Sequence, residues 1–190
     1  GEIFSVETQM SVCHAPSKRA WLGQFKGGML YYLGCHLIDL VYQIQGEPDE
    51  IIPMNMSTGI DCGGAEDYGF AVMKYKNGVS FVKSCATEYG GYRRRQIVIC
   101  GSRGSIEIKP TEINVAGPGQ RVRTTEHLTL QKNGAQAFCD CATAHEIIVD
   151  RYDNMMLSFA RNVLGEEKPL CTPDYELALF KLILKCCGAL

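Results

Sequence analysis

The sequence predicts an α+β domain in which a mainly antiparallel β-sheet is covered on one face by helices. Three observations carry this: a helical segment runs from Met29 to Gln45, a series of short strands and turns follows from Asp49 to about Gln131, and the tail is helical again. Strands joined by tight turns are antiparallel, because a parallel neighbour needs a crossover of about a dozen residues or more. Helices that are segregated from the strands along the chain then pack on one face of the sheet.

Taken in order, residues 2 to 12 alternate polar and apolar side chains with β-branched enrichment, which predicts a half-buried opening strand. A chain that starts inside an element suggests a piece excised from a longer protein. His14 to Gln24, with Pro16 inside it, reads as a polar loop leading to Gly27-Gly28. From Met29 the apolar residues Leu30, Leu33, Leu37, Leu40, Val41 and Ile44 fall on one helical stripe, and Gly46 and Pro48 end the helix. Strands are expected at Ile51–Gly59, Tyr68–Tyr75, Val79–Glu88, Arg95–Gly101 and Ser105–Lys109, with one or two more up to Leu130. Asn77-Gly78 predicts a hairpin of type I′, since both residues tolerate positive φ. Gly101-Ser-Arg-Gly104, Gly117-Pro-Gly119 and Asn133-Gly134 mark further turns. Helices are expected at Asp150–Leu164, ended by Gly165, and from about Asp174 to Cys187, where Thr172-Pro173 is a strong helix start.

The 190 residues are expected to form a single domain, with 46% apolar and 21% charged residues typical of a folded globular protein. A net charge of −2 offers no broad positive field for nucleic acid or an anionic membrane. The short run Arg93-Arg94-Arg95 reads as the solvated start of a strand, with phosphate binding a lesser alternative. No stretch of about 18 apolar residues is present to span a bilayer. The ten cysteines are about 5% of the chain, below the share of a disulfide scaffold, and Cys139-Asp-Cys141 and Cys186-Cys187 lack zinc spacing. Buried thiols in a reducing cytoplasm, with no bound metal, are the expectation.

No Gly-x-Gly-x-x-Gly opens a helix after a strand, no P-loop occurs and no Gly-x-Ser-x-Gly is found. The polar seam of the first helix is the candidate for chemistry: Tyr32, His36, Asp39 and Gln43 are spaced four, three and four. A lone helical histidine is by default structural. A helix that is apolar almost all round should nevertheless not keep such groups unless they line a pocket or close a network. An imidazole that titrates near pH 6.5 could then exchange a proton at neutral pH.

The run Trp21…Gly27-Gly28-Met29-Leu30-Tyr31-Tyr32-Leu33-Gly34-Cys35-His36-Leu37-Ile38-Asp39-Leu40 resembles the C-terminal domain of the glucose-fructose oxidoreductase, inositol dehydrogenase and rhizopine catabolism (Gfo/Idh/MocA) family, whose pattern is Gly-Gly-x-Leu-x-Asp-x-Gly-x-His-x-x-Asp. Arg94 to Pro110 is similar to the family's strand, glycine turn, strand unit, and Tyr152 to Gly188 to its closing helices. The resemblance implies a dihydrodipicolinate reductase-like fold for the C-terminal half of a cytoplasmic oxidoreductase acting on a sugar, polyol or cyclitol. It also implies a separate Rossmann domain, absent from this chain, that binds NAD or NADP and supplies a lysine, so the chain alone is expected to be inactive and to bind no cofactor. By position His36 matches the family's active-site histidine and Asp39 its companion, the latter read as structural. His14 is similar in placement to a substrate-pocket histidine, and Lys18, Arg19 and Tyr92 are expected at the pocket rim. The family's catalytic aspartate is replaced here by Tyr32, a phenol with a pKa near 10 that cannot charge and orient an imidazole as a carboxylate does. The alternative is a non-catalytic ligand-binding or dimerisation domain of the same fold. Helices on one face leave the other face of the sheet for a homodimer or homotetramer.

Overall fold

The computed structural model describes residues 1–117, 121–130, 143–169 and 171–190. The expected turn at Asn133-Gly134 and the pair Cys139 and Cys141 lie outside the described residues, as do Pro118 and Gly119 of a second expected turn. Among the described residues nine strands form one sheet: β1 Ile3–Gln9, β2 Glu50–Pro53, β3 Tyr68–Tyr75, β4 Gly78–Cys85, β5 Gln96–Gly101, β6 Gly104–Ile108, β7 Ile113–Asn114, β8 Arg121–Leu130 and β9 Thr143–Asp150. Among the described residues four α-helices accompany them: α1 Pro16–Trp21, α2 Cys35–Gln45, α3 Asp153–Val163 and α4 Pro173–Cys186.

Strand order is β2-β3-β4-β1-β5-β6-β8-β7, with β9 also on β8. The sheet is antiparallel except where β1 lies parallel to β4, with Glu7 opposite Phe81. That single parallel pair follows from the long excursion between the two strands, which leaves room for the helical crossover that parallel neighbours require. β1 therefore sits in mid-sheet, between β4 and β5.

The core lies between one face of the sheet and two helices. Val6, Ala71, Met73 and Val82 from the strands meet Leu37, Ile38 and Val41 of α2 and Leu179, Leu182, Ile183 and Cys186 of α4, all buried. The opposite face carries the stacked rings of Phe70 and Phe81, 5.4 Å apart, with the half-buried Val72 and Val98. Helix α3 departs from the expected arrangement, because it buries none of its residues. Met155, Met156, Leu157, Phe159 and Val163 remain exposed, so α3 covers neither face of the sheet.

Several local expectations change. The segment 14–24 is not a loop but α1 followed by a 3₁₀ turn over Leu22–Gln24, since Pro16 stands at the first helical position, where proline starts a helix rather than breaking it. The helix expected from Met29 opens with a π-helical turn, Leu30–Gly34, before regular α2 begins. The strand expected at 51–59 is confined to β2 at Glu50–Pro53, although Met56 bridges to Tyr68. β9 was not expected at all.

The β3–β4 hairpin forms with Tyr75 opposite Gly78, so the two loop residues are Lys76 and Asn77. Neither Asn77 nor Gly78 has positive φ, which corrects the expected type I′ turn. Gly78 is instead required by space, because a Cβ there would overlap the carbonyl of Phe4 on the neighbouring strand. Gly27 and Gly28 do use glycine's freedom, with φ of 82° and 42°, and a Cβ on Gly28 would run into the carbonyl of Glu66. Glu66 fastens this turn: its carboxylate accepts from Gly27 N–H at 2.6 Å and from Lys26 Nζ at 2.7 Å, and its carbonyl accepts from Met29 N–H at 2.9 Å. Thr172 caps α4 as expected, accepting from Tyr175 N–H at 3.2 Å. No described helix is long and apolar enough to cross a membrane.

Candidate functional site

Residues from four stretches of chain meet at the sheet edge where β1 and β4 end and β5 begins. His14 follows β1 and is placed by its own backbone, whose N–H donates to the carbonyl of Ala86 at 2.8 Å, while its carbonyl accepts from Arg19 Nη1 at 2.9 Å. Its ring lies 6.1 Å from that of Tyr32, edge to face. His14 Nε2 is buried without a hydrogen-bond partner among the described residues. Burial holds this imidazole below its usual pKa, and the nearby cations Lys18, Arg95 and Arg19 add to the effect, so His14 is neutral near pH 7.

One turn of α1 brings Lys18 over two aromatic faces, with Nζ 3.6 Å from the Trp21 ring centre and 4.2 Å from that of Tyr32. Trp21 and Tyr32 are themselves perpendicular, 5.7 Å apart, and Phe25 continues the patch at 4.8 Å from Trp21. The π turn carries Tyr32 into this cluster, and glycine turn and π turn together set its position. Wide turns of this kind recur at functional sites in helices.

Arg19, expected at the rim, is turned inward: it is buried and ion-paired with Asp61 at 3.7 Å. Tyr92 lies in a short 3₁₀ turn, Gly91–Arg94, with the guanidinium of Arg95 4.2 Å above its ring. Arg95 corrects the reading of the arginine run, because Arg93 and Arg94 are exposed but Arg95 is buried. It pairs with Glu112 at 2.6 Å, and Glu112 also holds Arg151 at 3.0 Å. Glu88 is shared in the same way, between Lys83 at 2.9 Å and Arg94, and it accepts from Gln9 Nε2 at 3.1 Å. Burial alone would raise the Glu88 carboxyl, yet Lys83, Ser11 and Arg94 together hold it below the ordinary value.

The seam on the first helix is not one network. His36, on the first turn of α2, is exposed and hydrogen-bonds to neither Tyr32 nor Asp39. Asp39 turns to α4, where it accepts from Tyr175 Oη, and it also accepts at 3.0 Å from Gln43 Nε2 on its own helix. The structure thus brings His14, Lys18, Arg19 and Tyr32 together, sets Tyr92 beside them through Arg95, and leaves His36 further along the helix. Trp21 and Arg95 belong to the cluster but were not singled out as site residues from sequence.

No group of three or more metal-ligating side chains gathers among the described residues, and every described cysteine is free. A dinucleotide would need a glycine turn between a strand and a helix N-terminus to cradle its pyrophosphate. The described residues do not supply one. Gly101 and Gly104 pair across the β5–β6 hairpin, and the Gly27-Gly28 turn is filled by Glu66 and Cys187.

Comparison with solved structures gives matches over all of this chain at low identity. A UDP-N-acetylglucosamine 3-dehydrogenase from Acidithiobacillus ferrooxidans superposes with a TM-score of 0.70 at 12% identity, covering 100% of this chain and 55% of that one. An oxidoreductase from Bacillus cereus gives 0.67 at 13% identity, with 100% and 66% covered. The chain therefore spans about half to two-thirds of the length of these proteins, and at such identities the likeness is one of fold. No curated protein matches the sequence. The family model described as the GFO/IDH/MocA C-terminal domain matches residues 1–107, more than half of the chain, and it covers β1, the Gly27-Gly28 turn, His36 and the sheet as far as β6. This chain belongs to the GFO/IDH/MocA C-terminal domain family of oxidoreductases.

Proposed function

We propose that this chain forms the substrate-side wall of an oxidoreductase that transfers hydride between a carbinol carbon of a sugar, polyol or cyclitol and NAD or NADP, with the nucleotide held by another part of the protein. The observation that supports this reading is the gathering of Lys18, Trp21, Tyr32 and His14 at one sheet edge, beside the helix that carries His36. Exposed aromatic faces suit the C–H faces of a polyol, and the flanking nitrogen and oxygen donors suit its hydroxyls. The nicotinamide supplies the hydride acceptor or donor, and this chain orients the substrate and handles the hydroxyl proton. In the oxidative direction His36 takes that proton as hydride leaves the carbinol carbon. Tyr32 supplies a hydroxyl in place of the family's carboxylate and tunes the site without charging the imidazole. Assembly through the open face bearing Phe70 and Phe81 belongs to the same reading.

The exposure of His36, and the lack of a described group that orients it, favour a second reading, a ligand-binding domain without acid–base work. One comparison separates the two. In the full-length protein, His36→Ala should lower turnover by about 10² to 10⁴, followed through the absorbance of the reduced nicotinamide. Tyr32→Phe should cost about tenfold or less. Near-normal turnover of His36→Ala would remove the proton chemistry from this chain and favour the second reading.

A further inference from the structure

We propose that the ligand of this edge carries an anionic group, a phosphate or a carboxylate, and that Lys18 together with His14 recognises it. This rests on the reading of the cluster as the substrate site and goes on to name the substrate's charge. Three independent features point to an anion.

Lys18 has no carboxylate partner among the described residues. Its ammonium is held by the faces of Trp21 and Tyr32, which fix its position without neutralising it. A lysine that only served solubility would keep its ammonium in water on a mobile stem.

The ion pairs around Lys18 leave an excess of positive charge. Glu88 is shared by Lys83 and Arg94, Glu112 by Arg95 and Arg151, and Asp61 faces Arg19 alone. With Lys18, six cations meet four carboxylates at one edge, the fourth being the buried Asp67 that accepts from Thr58, in a chain whose overall charge is −2. Such a local surplus attracts an anionic ligand and costs stability when nothing fills it.

Buried nitrogens at the same edge are unsatisfied. His14 Nε2, Arg19 Nε and Arg95 Nε are all buried without a partner among the described residues. Orphaned buried nitrogens are uncommon in native proteins, and the two guanidinium N–H groups would donate to an oxyanion admitted by a side-chain shift at this edge. A neutral polyol would answer the hydrogen-bonding need but not the surplus charge.

The test uses the full-length protein and small probes, so that it does not depend on identifying the sugar. Inorganic phosphate, acetate and glycerol are titrated separately at low ionic strength while the imidazole resonance of His14, assigned by its loss in His14→Gln, is followed. Phosphate or acetate should shift the resonance saturably and glycerol should not; the more effective anion identifies the group as phosphate or carboxylate. Lys18→Met should weaken anion binding by about tenfold to a hundredfold, whereas Lys18→Arg should stay within a few-fold of the parent. Thermal melts of both variants confirm that each is folded. Absence of a shift with either anion, or equal binding by the parent and Lys18→Met, overturns the proposal. Anion binding without turnover on any polyol would leave it standing while removing the hydride-transfer reading; turnover on neutral polyols without anion binding would do the reverse.

Discussion

Three glycines separate two costs that are usually measured together, those of backbone conformation and of close approach. Gly90 has φ +70° in the left-handed region, and a Cβ there would meet open space. Gly78 lacks positive φ, but its Cβ would overlap the carbonyl of Phe4. Gly28 combines both, with φ +42° and the Glu66 carbonyl in the way. The left-handed region costs an L-residue about 1–2 kcal/mol, offset by roughly 0.4–1 kcal/mol from the stiffer unfolded chain, so Gly90→Ala should destabilise by about 1 kcal/mol or less. Forcing a methyl against a backbone carbonyl in mid-sheet costs about 1–3 kcal/mol, and Gly78→Ala should sit at the upper end because β1 is fixed on both sides. Gly28→Ala should show the sum, about 3–4 kcal/mol, and should also move the π turn and with it Tyr32. Equilibrium urea unfolding of the three variants measures this directly. A cost for Gly78→Ala within about 0.5 kcal/mol of zero, the range of an ordinary surface change, would refute the close packing of β4 on β1. A Gly28→Ala cost no larger than that of Gly90→Ala would refute the locking of the glycine turn by Glu66.

Two further outcomes follow from the site. Tyr175→Phe removes the hydroxyl that donates to Asp39 but leaves the contact with the Tyr42 ring at 5.3 Å, so stability should fall by about 1–2 kcal/mol while turnover of the full-length protein stays within a few-fold, as expected if Asp39 ties α2 to α4. A turnover loss comparable to that of His36→Ala would place Asp39 in the chemistry instead. For His14 the folded pKa lies below the unfolded value near 6.5, so the unfolded chain takes up the proton first, and the stability associated with the neutral ring is complete above about pH 6.5 and is lost as pH falls through the folded pKa. His14→Gln should lack this acid-side loss, and identical pH–stability curves for the two proteins would refute the assignment.

The parts of the fold that could be read from sequence are those whose burial writes a period into the chain. The stripe from Leu30 to Ile44 announced the first helix, and the alternation in Tyr68–Tyr75 matches a strand whose Ala71 and Met73 face the core. β9 leaves little such trace, because as an outer strand it is largely exposed and Ala144, His145 and Glu146 precede its only apolar run. Four of the rim and seam residues converge because α1 exists, and α1 was hidden by Pro16, which reads equally as a loop breaker and a helix start. Arg95 was hidden by its neighbours: three consecutive arginines look alike in sequence, and only the pairing with Glu112 distinguishes the buried one. The expected seam of Tyr32, His36 and Asp39 assumed regular helical spacing, which the π turn interrupts between Tyr32 and the residues of α2.

That π turn also makes the helix tolerant to changes in length. A π turn accommodates one residue more than an α turn over the same span. Deleting one residue from Leu30–Gly34 would allow an unbroken α-helix over the same span, with the two flanking segments kept in phase. Helix α2 is tied down by Leu37, Ile38 and the Asp39–Tyr175 contact, so the change would be confined to the turn itself, where Tyr32 sits. Single-residue insertions and deletions at this point are thus a route by which one sheet can be kept while the side chain that faces the ligand is exchanged, an alteration of specificity that no substitution in the core could make without loosening it.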